Sequence, residues 1–329
     1  MREVGLPGER AAMKTATSYH LLLNARSGSA RADTAEMLRT AFEEHGHSVT
    51  IDADDETPLP DRIRRAAESP ADVIVAGGGD GTVTAVAEAI LDTEKILAVL
   101  PLGTANLLAR DLGLPLESAE WVKALDEMTV RKIDVGEVNG RIFLHKVVVG
   151  TIPGIAAARE QIRDRSDVGA ALGFLGHFAR RLERAKPMAV ELTLSAGDKR
   201  VERVQSIAVA NNGYDEGLGQ FFSRSCLDAG TLSLYVIKHL TFVDVLRLAA
   251  EMLLGNWRGD EAIEIENVRH VSLRMKRSTI KAMIDGEIES LDIPLNFGIR
   301  PCALSVLAPA PAVDTDTDEL LPVAPAAKA

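Results

Sequence analysis

The sequence has few cysteines, few aromatic residues and no excess of positive charge. Among 329 residues, only Cys226 and Cys302 are cysteines, and aromatic residues make up 4%. Two cysteines so far apart exclude a disulfide framework or a cysteine-rich zinc site and favour a reducing, cytoplasmic setting. The net charge of −11 argues against nucleic acid as the main partner, because binding a phosphate backbone requires a basic surface.

Long apolar runs are also missing. No stretch reaches the roughly 18 consecutive apolar residues that predict a membrane-spanning helix. Residues 1–17 are polar, without the apolar centre of a signal peptide, and we expect a flexible leader there. Residues 309–329 are rich in alanine, proline and acid and predict a disordered tail. We therefore expect a cytoplasmic protein that meets a membrane only peripherally, at the inner surface.

The first part of the chain alternates short apolar strands with helical segments. The strands are predicted at Tyr19–Asn24, Ser48–Ile51, Asp72–Ala76 and Ile96–Leu100. Strands this apolar are typical of a parallel sheet that is covered on both faces. Residues 18–130 are therefore expected to form a doubly wound, Rossmann-like α/β domain that binds a nucleotide.

The rest of the folded chain, residues 131–308, is rich in short strands and predicts an antiparallel, β-sandwich-like domain. Two helical insertions are expected within it, near 155–185 and 241–256. The predicted strands are Lys132–Asn139, Ile142–Val149, Met188–Leu194, Val204–Ala210, Leu232–Ile237, Ile263–Glu266, Val271–Met275, Thr279–Ile284 and Ala303–Leu307.

A glycine-rich turn follows the third predicted strand. Residues 77–82 read Gly-Gly-Gly-Asp-Gly-Thr and lead into a predicted helix over Thr82–Leu91. Four glycines allow positive φ angles and let backbone N–H groups approach phosphate oxygens, at the positive end of that helix. The alternative is a tight strand-to-helix turn without a ligand, but such a turn needs only one or two glycines.

Two further loops follow neighbouring strands, Asn24-Ala-Arg-Ser-Gly28 and Gly103-Thr-Ala-Asn106. Loops at the carboxyl ends of parallel strands lie along one edge of the sheet, so together they predict a nucleoside triphosphate site. No loop matches the Walker or the dinucleotide-binding glycine pattern. Asp80 is unsuited to contact phosphate and is expected on Mg²⁺. The predicted nucleotide-binding residues are Asn24, Ser27, Gly28, Gly77, Gly78, Gly79, Asp80, Gly81, Thr82, Gly103, Thr104 and Asn106.

These loops resemble the diacylglycerol kinase catalytic-domain family, which includes bacterial soluble lipid kinases and, more distantly, sphingosine kinases. The resemblance covers about residues 19–308. It implies ATP bound between an α/β N-terminal domain and a β-rich C-terminal domain, and phosphoryl transfer to the hydroxyl of diacylglycerol or a related lipid. The residues that carry it are Asn24–Gly28, Gly78-Gly-Asp-Gly-Thr82, Pro101-Leu-Gly-Thr-Ala-Asn106, Ile284-Asp-Gly-Glu287 and the stretch from Pro294 to Leu307.

Asp285 and Glu287 are the predicted acid–base residues. A lipid hydroxyl is a poor nucleophile, so a carboxylate must take its proton while Mg²⁺ neutralises the leaving phosphates. Because Asp285 and Glu287 stand two apart at a strand end, around Gly286, we expect both to face one side. One of them is the expected base, with Asp80 orienting the metal or nucleotide. They could instead be turn acids of a hairpin.

Three positions depart from the family pattern. Leu107 follows Asn106 where the family often has Asp, and Ala229 replaces an Asp that helps to hold a structural Mg²⁺ in some members. Asp228 remains as a candidate ligand there. Residues 150–154 read Gly-Thr-Ile-Pro-Gly in place of Gly-Phe-Asp-Ala, on the acceptor side of the cleft.

Two alternative functions stay open, the second of them suggested by Leu107 and Ala229. One is a small-molecule kinase similar to NAD kinase, which shares Gly-Gly-Asp-Gly-Thr. The other is a nucleotide-binding regulatory protein with weak or no turnover.

A lipid-facing element is expected within the insertion at 155–185. Residues 168–179 are apolar and have arginines on both sides, which is typical of a segment attracted to an anionic membrane surface. A core helix with solvated basic ends is the alternative. An exposed sheet edge in the second domain could also pair two chains as a homodimer.

Overall fold

The computed structural model describes residues 18–24, 34–150, 186–194, 197–216, 223–238 and 241–310. Its first part is a parallel sheet in the order β2-β1-β3-β4, surrounded by helices. The strands are β1 Ser18–Leu23, β2 Ser48–Asp52, β3 Val73–Gly78 and β4 Ile96–Pro101. The helices are α1 Thr34–Glu44, α2 Leu59–Glu68, α3 Asp80–Ile90, α4 Leu107–Asp111 and α5 Ser118–Ala124, followed by a 3₁₀ turn at Leu125–Glu127.

Burial explains why β1, β3 and β4 are largely apolar, whereas the edge strand β2 is more polar and has no buried residue. All six residues of β3 are buried, so both faces of the sheet are covered, as in parallel sheets generally. Helix α1 packs with α5, where the rings of Phe42 and Trp121 are 6.3 Å apart, and α2 packs with α3. The predicted doubly wound α/β domain is confirmed.

The second part is built from antiparallel strands. One sheet has the order β12-β11-β10-β7-β14-β15, and it faces strands β8 and β13 of the other sheet across a shared apolar core. The predicted sandwich-like arrangement is confirmed. The strands are β5 Met128–Val138, β6 Arg141–Phe143, β7 Lys146–Gly150, β8 Met188–Leu194, β9 Lys199–Val204, β10 Ser206–Asn211, β11 Leu232–Ile237, β12 Ile263–Val268, β13 His270–Arg274, β14 Thr279–Ile284, β15 Glu287–Asp292 and β16 Leu295–Pro309.

The long strand β16 connects the two parts. It pairs with β5 along most of its length and with β4 in parallel at Val306. Its last residues, including Leu304 and Leu307, belong to the core of the α/β part. One ten-stranded sheet therefore runs through both parts, and the predicted boundary at residue 130 falls inside β5.

The sequence pattern does not predict strands β9 and β15. Their sequences, Lys-Arg-Val-Glu-Arg-Val and Glu-Ile-Glu-Ser-Leu-Asp, are rich in charge because each lies at the edge of a sheet, where one row of backbone groups is unpaired. The predicted strand Ile142–Val149 is interrupted at Leu144 and His145, which separate β6 from β7.

Several predictions concern residues outside the described ranges. These are the leader at 1–17, the insertion at 155–185 and residues 311–329 of the tail. The second predicted insertion is confirmed as a helix, α6 Phe242–Leu254. Within the described ranges, no helix combines the length and the apolar character needed to cross a membrane.

Candidate active site

The glycine turn lies between β3 and α3 and brings two loops into close contact. A Cβ on Gly103 would lie 2.5 Å from the Cα of Gly79, and one on Gly78 would lie 2.7 Å from Thr82 Cβ. None of the glycines from Gly77 to Gly81 has a positive φ angle, so the expectation of left-handed backbone is wrong. Glycine is required here because two backbones and a side chain leave no space for a Cβ.

Hydrogen bonds link the three predicted loops. The backbone N–H of Asn24 donates to Gly77 O at 2.8 Å, and its side-chain amide donates to Thr82 Oγ1 at 2.9 Å. Asn106, in the left-handed conformation with φ of 49°, closes its own loop: its Oδ1 accepts from Gly103 N–H and its Nδ2 donates to Gly103 O, both at 2.9 Å. Thr104 is exposed on that loop. The predicted convergence of these loops is therefore observed, while Ser27 and Gly28 lie outside the described residues.

Asp80 joins the glycine turn to the next loop. Helix α3 begins at Asp80, two residues earlier than predicted, and its Oδ1 accepts from the Leu107 N–H at 2.7 Å. The carboxylate at the start of α3 thus caps the start of α4. Burial raises the pKa of Asp80, and the N–H groups at the start of α4 oppose that rise. The group that holds the Asp80 carboxylate is therefore the backbone N–H of Leu107, at a position where the family often has Asp.

The Asp285 and Glu287 pair lies on a tight hairpin between β14 and β15. Ile284 pairs with Glu287, so Asp285 and Gly286 form a two-residue turn, with φ angles of 46° and 100°. This is the pattern of a type I′ turn, for which Asp-Gly is a favoured sequence. The two acids are therefore part of a turn rather than neighbours along one strand, and both approach α3, Asp285 at Thr84 and Glu287 at Gly81.

Asp285 is an anchoring residue. Its Oδ2 accepts from Leu144 N–H at 2.7 Å and from the Thr84 hydroxyl at 3.2 Å. Its Oδ1 accepts from the N–H groups of His145 at 2.9 Å and Lys146 at 2.8 Å. Burial raises the pKa of Asp285, and the three N–H groups oppose that rise. With both oxygens occupied, the carboxylate ties the hairpin to the β6–β7 connection and to α3.

Glu287 is free to react. Its side chain is exposed, and it makes no hydrogen bond or ion pair within the described residues. The carboxylate lies against the first turn of α3, where a Cβ added to Gly81 would overlap Glu287 Oε1. A cavity of about 80 Å³ opens beside it, lined by Gly81, Thr84, Ala85, Glu88, Arg141, Ile142, Ile284, Asp285, Glu287 and Glu289. An exposed carboxylate therefore faces the glycine turn across the cleft.

A buried ion pair, absent from the sequence predictions, lies behind the cleft. Arg224 is 1% exposed and donates from Nε and Nη2 to Asp111 Oδ2 at 2.9 and 2.6 Å. Its Nη1 donates to the carbonyls of Leu144 at 2.8 Å and Asn211 at 2.7 Å. Asp111 lies one turn after Leu107 on α4, on the same face of the helix. No local signal could have identified a pair that is 113 residues apart.

Two further polar residues, His145 and Lys146, lie where the β6–β7 connection leads into β7. His145 Nδ1 lies 3.2 Å from the Tyr214 hydroxyl, and the Lys146 ammonium lies 5.5 Å from the centre of the Tyr214 ring. Burial and the nearby Arg224 charge lower the pKa of Lys146 to about 8. These residues form the wall of the cleft behind Asp285.

Asp228 has few polar neighbours among the described residues. It is exposed, and within those residues its side chain accepts one hydrogen bond, at 3.4 Å, from Cys226 Sγ. The buried Asp134 uses its two oxygens to accept from Gly230 N–H at 2.6 Å and Cys302 N–H at 2.8 Å. Among the described residues, no three His, Cys, Asp or Glu side chains are grouped to hold a metal ion.

Two family models match consecutive parts of the chain. The family model of the diacylglycerol kinase catalytic domain matches residues 18–138, and that of the YegS C-terminal NAD kinase beta sandwich-like domain matches residues 150–308. A Pseudomonas aeruginosa protein named "Probable lipid kinase YegS-like" is 34% identical over 72% of this chain and 76% of its own length. A diacylglycerol kinase of Bacillus subtilis is 28% identical over 76% of this chain and 80% of its own.

Solved structures show the same fold. A diacylglycerol kinase from Bacillus anthracis aligns with a TM-score of 0.66 at 19% identity, covering 90% of this chain and 98% of that one. The yeast NADH kinase complexed with NADH aligns with a TM-score of 0.51 at 12% identity, covering 89% of this chain and 82% of the other. At these identities the likeness concerns the fold alone.

Proposed function

The chain belongs to the diacylglycerol kinase catalytic-domain family of lipid kinases, and we propose that it transfers the γ-phosphate of ATP, with Mg²⁺, to the hydroxyl of diacylglycerol or a related lipid. The observation that carries this proposal is the position of Glu287, an exposed carboxylate against Gly81 in the glycine turn. A proton acceptor beside a phosphate cradle is the arrangement that phosphoryl transfer to an alcohol requires.

The cradle for the ATP phosphates is formed by the start of α3 and the two glycine loops. Gly79 precedes the helix and Gly103 packs against it, so no side chain separates the backbone from a ligand. The first N–H groups of a helix have no partner within the helix and carry partial positive charge. Phosphate oxygens would accept hydrogen bonds from these groups.

Glu287 is the proposed base. As the acceptor oxygen bonds to the γ-phosphorus, the bond from phosphorus to the bridging oxygen breaks, ADP leaves, and the hydroxyl proton passes to the Glu287 carboxylate. Asp285 is a positioning residue in this proposal, because its two oxygens accept hydrogen bonds from three backbone N–H groups of the β6–β7 connection and from the Thr84 hydroxyl. It fixes the hairpin that presents Glu287.

The residues of the cradle fit an Mg²⁺ ion that arrives with ATP. Mg²⁺ is commonly bound by one or two carboxylates together with substrate phosphates and water, rather than by a protein cage. Asp80 is the carboxylate of the cradle and would hold the ion beside the phosphates. When bound, the ion would neutralise charge on the leaving phosphates. In the part of the chain that the structure describes, Asp228 belongs to no group of metal-ligating side chains, and it takes no part in the proposal.

The acceptor is proposed to reach the cleft from the inner membrane surface, with the protein bound there peripherally. The predicted lipid-facing element, 155–185, lies outside the described residues. The proposal of membrane binding therefore depends on the sequence of that element. A homodimer stays a prediction.

A small-molecule kinase is the second candidate. The yeast NADH kinase shares the fold, and the Gly-Gly-Asp-Gly-Thr turn is common to NAD kinases and lipid kinases. A regulatory protein that binds ATP without turnover is the third, suggested by Leu107 and Ala229. A direct assay distinguishes these two candidates: the small-molecule kinase phosphorylates NAD, and the regulatory protein phosphorylates nothing.

Transfer of labelled phosphate tests the proposal. The purified chain is incubated with labelled ATP, Mg²⁺ and mixed micelles containing diacylglycerol. We expect label in the lipid with the unmodified protein and with Glu261→Gln, a control that removes an exposed carboxylate outside the cleft. We expect the label to disappear with Glu287→Gln. Transfer that survives Glu287→Gln would overturn the assignment of the base, and tight ATP binding without transfer to any lipid would favour the regulatory protein.

A further inference from the structure

A second cavity lies toward the end of the β14–β15 hairpin that is opposite Glu287. It has a volume of about 520 Å³ and is lined by the end of β7, the start of β14 and the later part of β15. Lys281 and Ser290, which line it, stand three residues from Ile284 and Glu287, the two ends of the hairpin turn. At about 3.3 Å per strand residue, the cavity is therefore roughly 10 Å from the proposed active site. Its size is within the roughly 300–1,000 Å³ range of small-molecule sites.

The cavity is basic in an acidic protein. Lys186, Arg277 and Lys281 line it, and no carboxylate of the described residues does. None of their three side chains makes a hydrogen bond or an ion pair within the described residues. Two other cations of the same part of the molecule, Lys238 and Arg200, by contrast both pair with Glu202 and Glu264.

Neutral hydrogen-bond donors complete this lining. The Thr279 and Ser290 side chains lie on neighbouring strands, where Lys281 pairs with Ser290 in the β14–β15 register. The Gln205 side chain, only 3% exposed, lies at the inner end. Guanidinium, ammonium and hydroxyl groups around one space are the donors that phosphate oxygens bind.

We propose that this basic cavity is a second anion site that binds a phosphate group. Three like charges around one space repel each other, and a bound anion removes that repulsion. The group is a phosphate ester, carried either by the headgroup of an anionic phospholipid or by a small soluble molecule. The site is separate from the ATP cradle, and the proposal does not depend on the kinase activity.

Binding to paired variants tests this site. The cavity variant is Arg277→Gln/Lys281→Gln, and the control is Lys199→Gln/Arg269→Gln, which removes the same charge from exposed residues that do not line the cavity. Two probes are used without ATP: sn-glycerol 3-phosphate in calorimetry, and vesicles of phosphatidylglycerol or phosphatidylcholine in co-sedimentation. The ATP cradle is intact in both variants, so any difference between them belongs to the cavity.

We expect the cavity variant to bind at least one phosphate probe about tenfold more weakly than the control, since charge-assisted hydrogen bonds are lost. A loss with glycerol phosphate assigns a soluble ligand. A loss confined to phosphatidylglycerol vesicles assigns a lipid headgroup. Equal binding by both variants, or no saturable binding of either probe, overturns the proposal. Unchanged melting temperatures for both variants exclude misfolding as the cause.

Discussion

Asp285 and Glu287 are separated by one residue and have different surroundings. The Asp285 carboxylate accepts four hydrogen bonds and fixes the hairpin. The Glu287 carboxylate is exposed and faces the glycine turn. The first is thus expected to contribute mainly to stability and the second mainly to catalysis, and the two contributions can be measured separately.

The variants Asp285→Asn and Glu287→Gln separate these roles. Asp285→Asn places an amide donor among N–H donors, so we expect a loss of about 1–3 kcal/mol in the free energy of unfolding. Glu287→Gln breaks no contact, so stability is unchanged while kcat falls by about 10²–10⁴-fold. Urea denaturation and the labelled-ATP assay give both quantities. A stable Asp285→Asn protein with a large loss of kcat would make Asp285 the base instead.

The buried Lys146 side chain predicts the direction in which the free energy of unfolding changes with pH. Its pKa is lowered from 10.5 to about 8 by burial, so between these values the unfolded chain binds a proton that the folded protein does not. The free energy of unfolding therefore rises with pH from about 8 to about 10.5 through this group. In Lys146→Met that contribution is lost, so the stability difference between the two proteins must change over this interval. Denaturation curves at pH 7, 8, 9 and 10 measure it, and a constant difference would contradict the assignment.

At the scale of elements, the two glycine loops come into close contact where Gly103 meets Gly79. Gly103→Ala would place a Cβ 2.5 Å from Gly79 Cα, so the loops must separate and the phosphate cradle must widen. We expect kcat/KM for ATP to fall by between about tenfold and a hundredfold. Gly259→Ala, where a Cβ meets nothing within 4 Å, is the matched control and should behave like the unmodified protein. Equal kinetics for both variants would show that loop contact does not shape the ATP site.

The elements also show what the sequence can predict. The apolar strands and the three loops after them follow from local patterns, and the structure brings the described parts of those loops together. The glycines were expected to supply positive φ angles, whereas their function is close packing, which depends on neighbours from another loop. A hairpin at Asp285 is the alternative that the sequence offers, since Asp-Gly is a turn signal, but strand β15 after it is not predicted because it is a charged edge strand.

At the scale of the whole molecule, the buried pair Asp111–Arg224 joins the two parts of the chain. Arg224 binds α4 of the first part through Asp111, and β10 and the β6–β7 connection of the second part through backbone carbonyls. Such a contact depends on the complete tertiary fold. Neither the spacing nor the composition of the sequence predicts it, and the same is true of the basic cavity.

Removing one partner of the Asp111–Arg224 pair should destabilise the folded protein. Asp111→Asn leaves the Arg224 guanidinium buried without its carboxylate, so we expect a loss of about 3–5 kcal/mol in the free energy of unfolding. The control is Asp61→Asn, which breaks the exposed Asp61–Arg64 pair and should cost less than about 1 kcal/mol. Urea denaturation of both variants measures the difference. A similar small loss for both would show that the buried pair does not hold the two parts together.

The most direct test of the account is the identity of the molecule that receives the phosphate. The purified chain is given labelled ATP and Mg²⁺ together with mixed micelles of candidate lipids and with NAD in the same tube, and products are identified by mass spectrometry. The account predicts a lipid phosphate monoester and unmodified NAD. Phosphorylated NAD with unmodified lipids would contradict it.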